Sequence, residues 1–171
     1  IYAGVYSELT EPASANLIAH ELDLDRAECF DLKEACDGWM KAVKLAYLGI
    51  QAGMYRRVMV VNAEFSLTRG FAINPKLFKL TSLEELEYRF PSYTIGEAST
   101  ATILGASRGI GGAWLFSNQT RSDLYDLCTV TPAWYGAHPL PSTRVGKDGP
   151  GCFTSYGSDL YRHGFPLSID T

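Results

Sequence analysis

Residues 29–64 read CFDLKEACDGWMKAVKLAYLGIQAGMYRRVMVVNAE, and this stretch decides the expected fold. The short, partly apolar run 29–32 is typical of a strand that ends in the core of a sheet. Apolar residues cover most faces of 39–52, which predicts a buried helix with one narrow polar stripe. Gly53 is suited to end that helix as a C-cap glycine. Residues 57–63 show no alternation of polar and apolar side chains, which favours a parallel strand covered on both faces.

The residues before this stretch extend the same pattern. Residues 1–6 predict a strand. Residues 12–22 predict an amphipathic helix, because Ala15, Ile18 and Leu22 recur at helical spacing on one face. Strand and helix therefore alternate up to residue 63, which predicts an α/β fold with a layered, mostly parallel sheet.

Cys36 occupies the turn between the first strand of the stretch and its helix. A cysteine at a helix N-terminus faces unpaired amide N–H groups and the positive end of the helix dipole. Both favour the thiolate, which is the reactive form of cysteine. A buried structural cysteine is the alternative interpretation, since free cysteine is among the most buried residue types. Position alone leaves both interpretations of Cys36 open.

The wider pattern resembles the nucleophile region of the thiolase-like condensing enzymes, and most of all β-ketoacyl-acyl-carrier-protein synthase III. That family places an aspartate-containing strand before Ala-Cys-small-Gly-aromatic and a long buried helix, where this sequence reads FDLKEACDGW. Its next strand, Val-rich and ending in an acidic residue, corresponds to VMVVNAE. Its Pro-Ser-Ala helix start corresponds to PASA at 12–15, and its Gly-Asp-Gly-Ala stretch, more weakly, to IGEASTATILGA.

The resemblance implies a thiolase-like fold with a mixed, mostly parallel sheet and a buried nucleophile helix. It covers residues 1–118, which would form the N-terminal half of that fold without its first strand–helix unit. Residues 119–171 would be a loop-rich segment that leads toward an absent C-terminal half. On this interpretation the fold is partial, and the chain is a fragment that is inactive alone.

By the same resemblance, Cys36 would attack an acyl-CoA or acyl-carrier-protein thioester and form an acyl-enzyme, as in fatty-acid or polyketide synthesis. No bound cofactor or metal is implied. Carbon–carbon condensation and acyl transfer to oxygen or nitrogen both stay open. The family is homodimeric, and residues 57–63 would continue the sheet across the interface, although an apolar central strand has the same pattern.

Composition argues against several other classes of protein. The net charge of −4 gives no reason to expect nucleic acid or an acidic membrane surface as partner. Gly, Lys or Arg interrupts every apolar run, so no transmembrane helix is expected. The four cysteines show neither C-x-x-C pairing nor a histidine at zinc spacing, which favours a reduced, cytoplasmic protein without a metal site. They are Cys29, Cys36, Cys128 and Cys152.

Residues 105–111, GASRGIG, match the glycine-rich nucleotide-binding signature of short-chain dehydrogenases. That signature functions only where a helix begins at its last glycine, so that N–H groups meet the pyrophosphate. Here the following residues are β-like, and no Tyr-x-x-x-Lys pair occurs in the chain. The favoured interpretation is a β-turn between strands at 100–105 and 112–117. An NADP-dependent reductase is the less favoured alternative.

Downstream of residue 63, turn-forming residues dominate. Ser82 and Glu85 fit a capping box at the start of a short helix. Residues 127–131 predict one more strand, 134–152 an irregular loop, and 158–163 a short helix at most.

Some residues depart from the family pattern. The three histidines, His20, His138 and His163, do not lie in the family's histidine motif, so none is assigned a catalytic role. Asp37 follows the cysteine where the family has a small residue. It would either oppose the thiolate or act as a helix N-cap. Glu11 replaces an apolar residue that reaches the partner subunit's acyl pocket. These departures suggest an unusual acyl group or, as an alternative function, a catalytically silent partner domain.

Overall fold

The computed structural model describes residues 1–7, 9–65, 67, 73–107, 109, 112–132, 135 and 142–169. The chain forms two compact units, each built from two separate segments. Unit 1 consists of Ile1–Glu64 and Ala98–Phe116, and unit 2 consists of Phe65–Glu97 and Ser117–Thr171. This division differs from the predicted segments 1–118 and 119–171, because residues 65–97 group with the C-terminal residues.

Unit 1 contains a mixed sheet. Strand β1 (Arg57–Glu64) pairs along its whole length with antiparallel β2 (Ala98–Gly105). Tyr2 forms parallel bridges with both Val61 and Asp31. The segments at residues 1–3 and 30–32 therefore run in the same direction as β1. The predicted strands at 1–6 and 29–32 are present only as these short bridged segments.

The prediction that residues 57–63 continue the sheet into a partner subunit is wrong. Strand β2 occupies one edge of β1. On the other edge, the Ala3 N–H donates to the Val61 carbonyl at 2.8 Å, and the Val61 N–H donates to the Ile1 carbonyl at 2.9 Å. A strand bonded on both sides offers no edge to a partner. The apolar sequence of β1 thus reflects a central position in the sheet.

Helix α2 (Gly38–Gln51) packs against this sheet through small residues. Ala42 and Ala46 are buried with Val58 and Val60 in one core cluster that also contains Ala3. Each fully buried valine contributes about 2 kcal/mol. The predicted burial of the helix is confirmed for this face. Leu45 and Leu48, on other faces of α2, are nearly half exposed.

The remaining elements of unit 1 agree in part with prediction. Helix α1 (Ser14–Glu21) confirms the helix expected at 12–22, and β2 confirms the strand expected at 100–105. The strand predicted at 112–117 is wrong, since the described residues there form no ladder. Instead the Trp114 ring stacks on Tyr47, with ring centroids 5.4 Å apart. This segment is therefore held by aromatic packing against α2 and not by strand pairing.

The described residues of unit 2 form two short strands and two α-helices, together with short 3₁₀ helices. Strand β3 (Cys128–Val130), within the predicted 127–131, pairs antiparallel with β4 (Phe153–Ser155). Helix α3 (Leu86–Arg89) begins later than the expected start at Ser82, and the Glu85 carboxylate accepts hydrogen bonds from the N–H and the hydroxyl of Thr81. Helix α4 (Gly157–Ile169) extends well beyond the predicted 158–163 and includes Pro166. In the loop predicted at 134–152, residues 142–152 are described, and they form turns with no helix or strand, as expected.

A candidate nucleophile turn at Cys36

Cys36 is the middle residue of a 3₁₀ turn, Ala35–Asp37, that leads directly into α2. The cysteine is exposed and forms no disulfide, so the alternative of a buried structural cysteine does not hold for Cys36. Among the four cysteines, Cys152 is the buried one. The turn thus presents a thiol to solvent at the N-terminal end of a 14-residue helix, where the helix dipole favours negative charge.

Backbone strain is present next to the cysteine. Ala35 has a φ of 46°, in the left-handed region that residues with a Cβ seldom adopt. This conformation costs on the order of 1 kcal/mol. The Asp37 N–H closes the turn by donating to the Glu34 carbonyl at 3.1 Å.

Two contacts with the segment at residues 1–3 hold the ends of this turn. Upstream, the Leu32 N–H donates to the Tyr2 carbonyl at 2.8 Å. Downstream, Gly38 lies so close to Ala3 that a Cβ on it would be 3.3 Å from the Ala3 carbonyl oxygen. Tyr2 and Ala3 are neighbours in sequence, so one short stretch of backbone fixes both the entry to the turn and the exit from it.

Charged side chains beside the cysteine pair with one another. Lys41 Nζ lies 2.5 Å from a Glu34 carboxylate oxygen and 3.9 Å from Asp37 Oδ2. Asp37 occupies the N-cap position of α2, as one of the two interpretations expected, but its side chain makes no capping hydrogen bond. The nearby Lys41 ammonium offsets the negative charge that Asp37 brings to the turn.

The Glu64 and Asn62 side chains lie at the carboxyl end of β1, where the parallel segments of the sheet also end. Glu64, the last residue of β1, accepts a hydrogen bond from the Val5 N–H at 2.9 Å. Burial raises the pKa of the Glu64 carboxyl above its ordinary value. The Asn62 side chain donates to the Ala3 carbonyl. Ligand sites of α/β proteins tend to form at this carboxyl edge of the strands, although sequence patterns alone did not single out Asn62.

The three histidines, to which no catalytic role was assigned, and Glu11 lie in other parts of the sequence. His20 lies on α1 of unit 1, His163 lies on α4 of unit 2, and His138 lies outside the described residues. Glu11 is exposed just before α1.

The glycine-rich stretch at 105–111 does not have the context of a nucleotide-binding signature. It begins at Gly105, the last residue of β2, and three of its residues, Arg108, Ile110 and Gly111, lie outside the described ones. The described residues 112–121 form no helix. A pyrophosphate would therefore find no helix N-terminus where the signature requires one.

Among the described residues, no cluster of three or more His, Cys, Asp or Glu side chains is placed to hold a metal ion. Across the same residues, each helix falls short of the length and apolarity that a membrane crossing needs.

Comparison with known proteins identifies relatives of one kind. The model of the family described as 3-oxoacyl-[acyl-carrier-protein (ACP)] synthase III matches residues 30–123, more than half of the chain. The β-ketoacyl-[acyl-carrier-protein] synthase III of Aliarcobacter butzleri is 24% identical over 154 residues, covering 90% of this chain and 42% of that protein. The Brucella canis enzyme of the same name is 47% identical over 55 residues, covering 32% of this chain and 17% of its own.

Solved structures show the same relationship at the level of the fold. Synthase III from Thermus thermophilus superposes with a TM-score of 0.67 at 20% identity, covering 94% of this chain and 44% of that one. The structure of OleA from Xanthomonas campestris with bound lauric acid and lauroyl-CoA superposes with a TM-score of 0.72 at 18% identity. This match covers 99% of this chain and 47% of the OleA chain. Most of this chain is therefore matched by these relatives, but the chain spans less than half of their length.

Proposed function

The chain belongs to the 3-oxoacyl-[acyl-carrier-protein (ACP)] synthase III family, and we propose that it carries the nucleophile of an acyl transfer from an acyl thioester. Its thiolase-like fold is shared with solved synthase III and OleA structures. The observation that carries the proposal is the placement of an exposed Cys36 in the turn that opens α2. That turn lies within the part of the chain that the family model matches.

In the proposed reaction, the Cys36 thiolate attacks the carbonyl carbon of an acyl-CoA or an acyl-carrier-protein thioester. A new carbon–sulfur bond to Cys36 forms, and the donor thiolate leaves and takes up a proton. The acyl-enzyme divides one difficult transfer into two easier steps. Backbone N–H groups, including that of Cys36, would stabilise the tetrahedral oxyanion, an effect of about 3 kcal/mol for one donor.

The acyl group then passes to an acceptor. For the family reaction this is a carbanion derived from a malonyl-carrier protein, and a hydroxyl or amine is the acceptor for an acyltransferase branch. We propose that the second half of the reaction uses groups from the part of the relatives that this chain does not span. The 171 residues alone would then form the acyl-enzyme without completing the transfer. A cytoplasmic homodimer that needs no bound cofactor belongs to the same proposal.

A catalytically silent partner domain is the second candidate function. The observation that favours it is Asp37, whose carboxylate adjoins the cysteine in place of a small residue. In that case Cys36 would be retained without forming an acyl-enzyme. The two candidates differ in one measurable property, namely whether an acyl thioester modifies Cys36 covalently.

Pretreatment with an acyl-CoA is expected to protect Cys36 from iodoacetamide. The protein is incubated with the thioester, desalted to remove every molecule that is not covalently bound, and then alkylated and mapped by peptide mass. Cys36 should lose most of its alkylation, whereas Cys128, which is also exposed, should be alkylated as before. Hydroxylamine, which cleaves thioesters, should restore the alkylation of Cys36.

Free coenzyme A serves as the control, since it has no acyl group to transfer and should give no protection after desalting. Equal alkylation of Cys36 with and without the acyl-CoA would favour the silent partner domain.

A further inference from the structure

Asp31 connects the segment before the nucleophile turn to the start of α1. One carboxylate oxygen accepts a hydrogen bond from the Ser14 N–H at 2.8 Å, and the other accepts from the Ala15 N–H at 2.9 Å. Both donors belong to buried residues in the first turn of α1. The first N–H groups of a helix have no partner within it, and a carboxylate is a strong acceptor for them.

The cap comes from a distant part of the sequence. Ala13, the residue in the N-cap position of α1, has no side chain that can accept a hydrogen bond, and no local side-chain cap is present. Helix N-caps are ordinarily supplied by Ser, Thr, Asp or Asn at that position. Here Asp31, sixteen and seventeen residues along the chain, takes this role. The bond pair therefore joins α1 to the sheet as well as satisfying the helix.

The position of Asp31 makes this connection relevant to the thiol. Asp31 bridges to Tyr2, the next residue bonds to the Tyr2 carbonyl, and the turn that contains Cys36 begins four residues after Asp31. The strained Ala35 lies between Asp31 and Cys36 in the sequence, at the first position of the turn. A turn that holds a strained residue needs ends that are fixed by other contacts. Asp31, through its two hydrogen bonds to α1, fixes the upstream side of this turn.

We infer that Asp31 is a positioning residue for Cys36, acting through its bidentate bond to the N-terminus of α1. This inference rests on the proposed function for its chemical meaning. Asp31 touches no reacting atom. It fixes the entry to the turn so that the thiol stays exposed at the N-terminal end of α2, where an acyl thioester could approach it.

Two variants separate this role from simple stabilisation of α1. Asp31→Asn keeps the shape of the side chain but turns one acceptor into a donor, so the bidentate bond is lost. Adding Ala13→Ser gives α1 a local N-cap that bonds to its own first turn. The double variant therefore recovers the helix cap without recovering the link to the segment at residue 31.

Amide hydrogen exchange of residues 33–38 gives a readout that does not depend on catalysis. Asp31→Asn should speed exchange in this turn about tenfold, the effect of losing a charge-assisted hydrogen bond. In the double variant, the amide exchange of α1 and the melting temperature should return toward the wild-type values. The amide exchange of the turn should remain fast. Alkylation and acylation of Cys36 should slow about tenfold in both variants, because small misplacements of reacting groups are costly.

Two results would overturn the inference: unchanged exchange in the turn of Asp31→Asn, or recovery of the turn together with α1 in the double variant. Failure of the proposed function is a separate outcome. It would appear as a wild-type Cys36 that no acyl thioester modifies, and the exchange measurement would still decide the role of Asp31.

Discussion

Gly38→Val is expected to lower the free energy of unfolding by about 3 kcal/mol and to slow the alkylation of Cys36. A Cβ at position 38 would lie 3.3 Å from the Ala3 carbonyl oxygen and 3.7 Å from the Ala3 Cβ. Ala3 is almost completely buried and is bonded through its backbone to Val61. Because Ala3 cannot easily move away, the larger side chain must displace the start of α2 and the turn that precedes it. Urea denaturation and the kinetics of Cys36 alkylation measure the two effects.

Gly112→Val is the matched control in the same unit, since a Cβ at Gly112 would meet no atom within 4 Å. We expect little change in either measurement for this variant. If Gly38→Val were as stable and as reactive as Gly112→Val, the close contact with Ala3 would not hold the turn.

Asp148→Ala is expected to destabilise unit 2 by about 3 kcal/mol, because it removes the bidentate carboxylate partner of a nearly buried cation and leaves Glu85 as its remaining carboxylate. Arg89 Nε donates to both Asp148 carboxylate oxygens, at 2.9 and 3.1 Å, and the two side chains are only 13% and 4% exposed. The hydrogen bonds from Arg89 to Asp148 raise the pKa of the guanidinium. Arg89 also pairs with Glu85 at 2.9 Å, and Lys76 Nζ donates to the Asp148 carbonyl at 2.6 Å. Chemical denaturation followed by circular dichroism gives the change in stability.

The control for this prediction is Asp123→Ala, which removes an ion pair with Arg121 whose side chains are 44% and 60% exposed. Exposed ion pairs contribute about 0–1 kcal/mol, so this variant should unfold almost as the wild type does. Equal stability of the two variants would contradict the assigned importance of the Arg89–Asp148 pair.

The same network predicts a dependence on pH. Hydrogen bonds from Thr81, the backbone one first, lower the pKa of Glu85 in the folded protein. A carboxyl with a lowered pKa stabilises the fold above its unfolded pKa, and this stabilisation disappears as the pH falls through the folded value. The contribution of Glu85 to unit 2 is therefore lost in acid.

The sequence was most informative where local patterns and packing agree. The apolar residues of 39–52 predicted a buried helix, which is confirmed for the face with Ala42 and Ala46, and Gly53, with a φ of 72°, follows the end of that helix as expected. The β-branched run at 57–63 became β1, and the thiolase-like class predicted from FDLKEACDGW and VMVVNAE is confirmed. These features depend on neighbours a few residues apart, which a sequence displays directly.

Features that depend on distant partners could not be predicted. Nothing near Ala13 shows that Asp31 caps α1, and nothing near Arg89 shows that Asp148, 59 residues away, is its partner. The strand expected at 112–117 was wrong for a related reason. Its β-like composition is the same whether Trp114 pairs in a sheet or stacks on Tyr47. The candidate nucleophile was predicted, whereas the contacts that hold it were not.

The measurement that tests the central claim most directly is the intact mass of the protein after incubation with a panel of acyl-CoA thioesters. The protein should be expressed at the full length of its natural polypeptide, as wild type and as Cys36→Ala. We expect the wild type to gain the mass of one acyl group from at least one thioester, and Cys36→Ala to gain none. The mass gained would identify the acyl class. An unmodified wild type across a broad panel, with Cys36 also resistant to iodoacetamide, would contradict the account of Cys36 as a nucleophile.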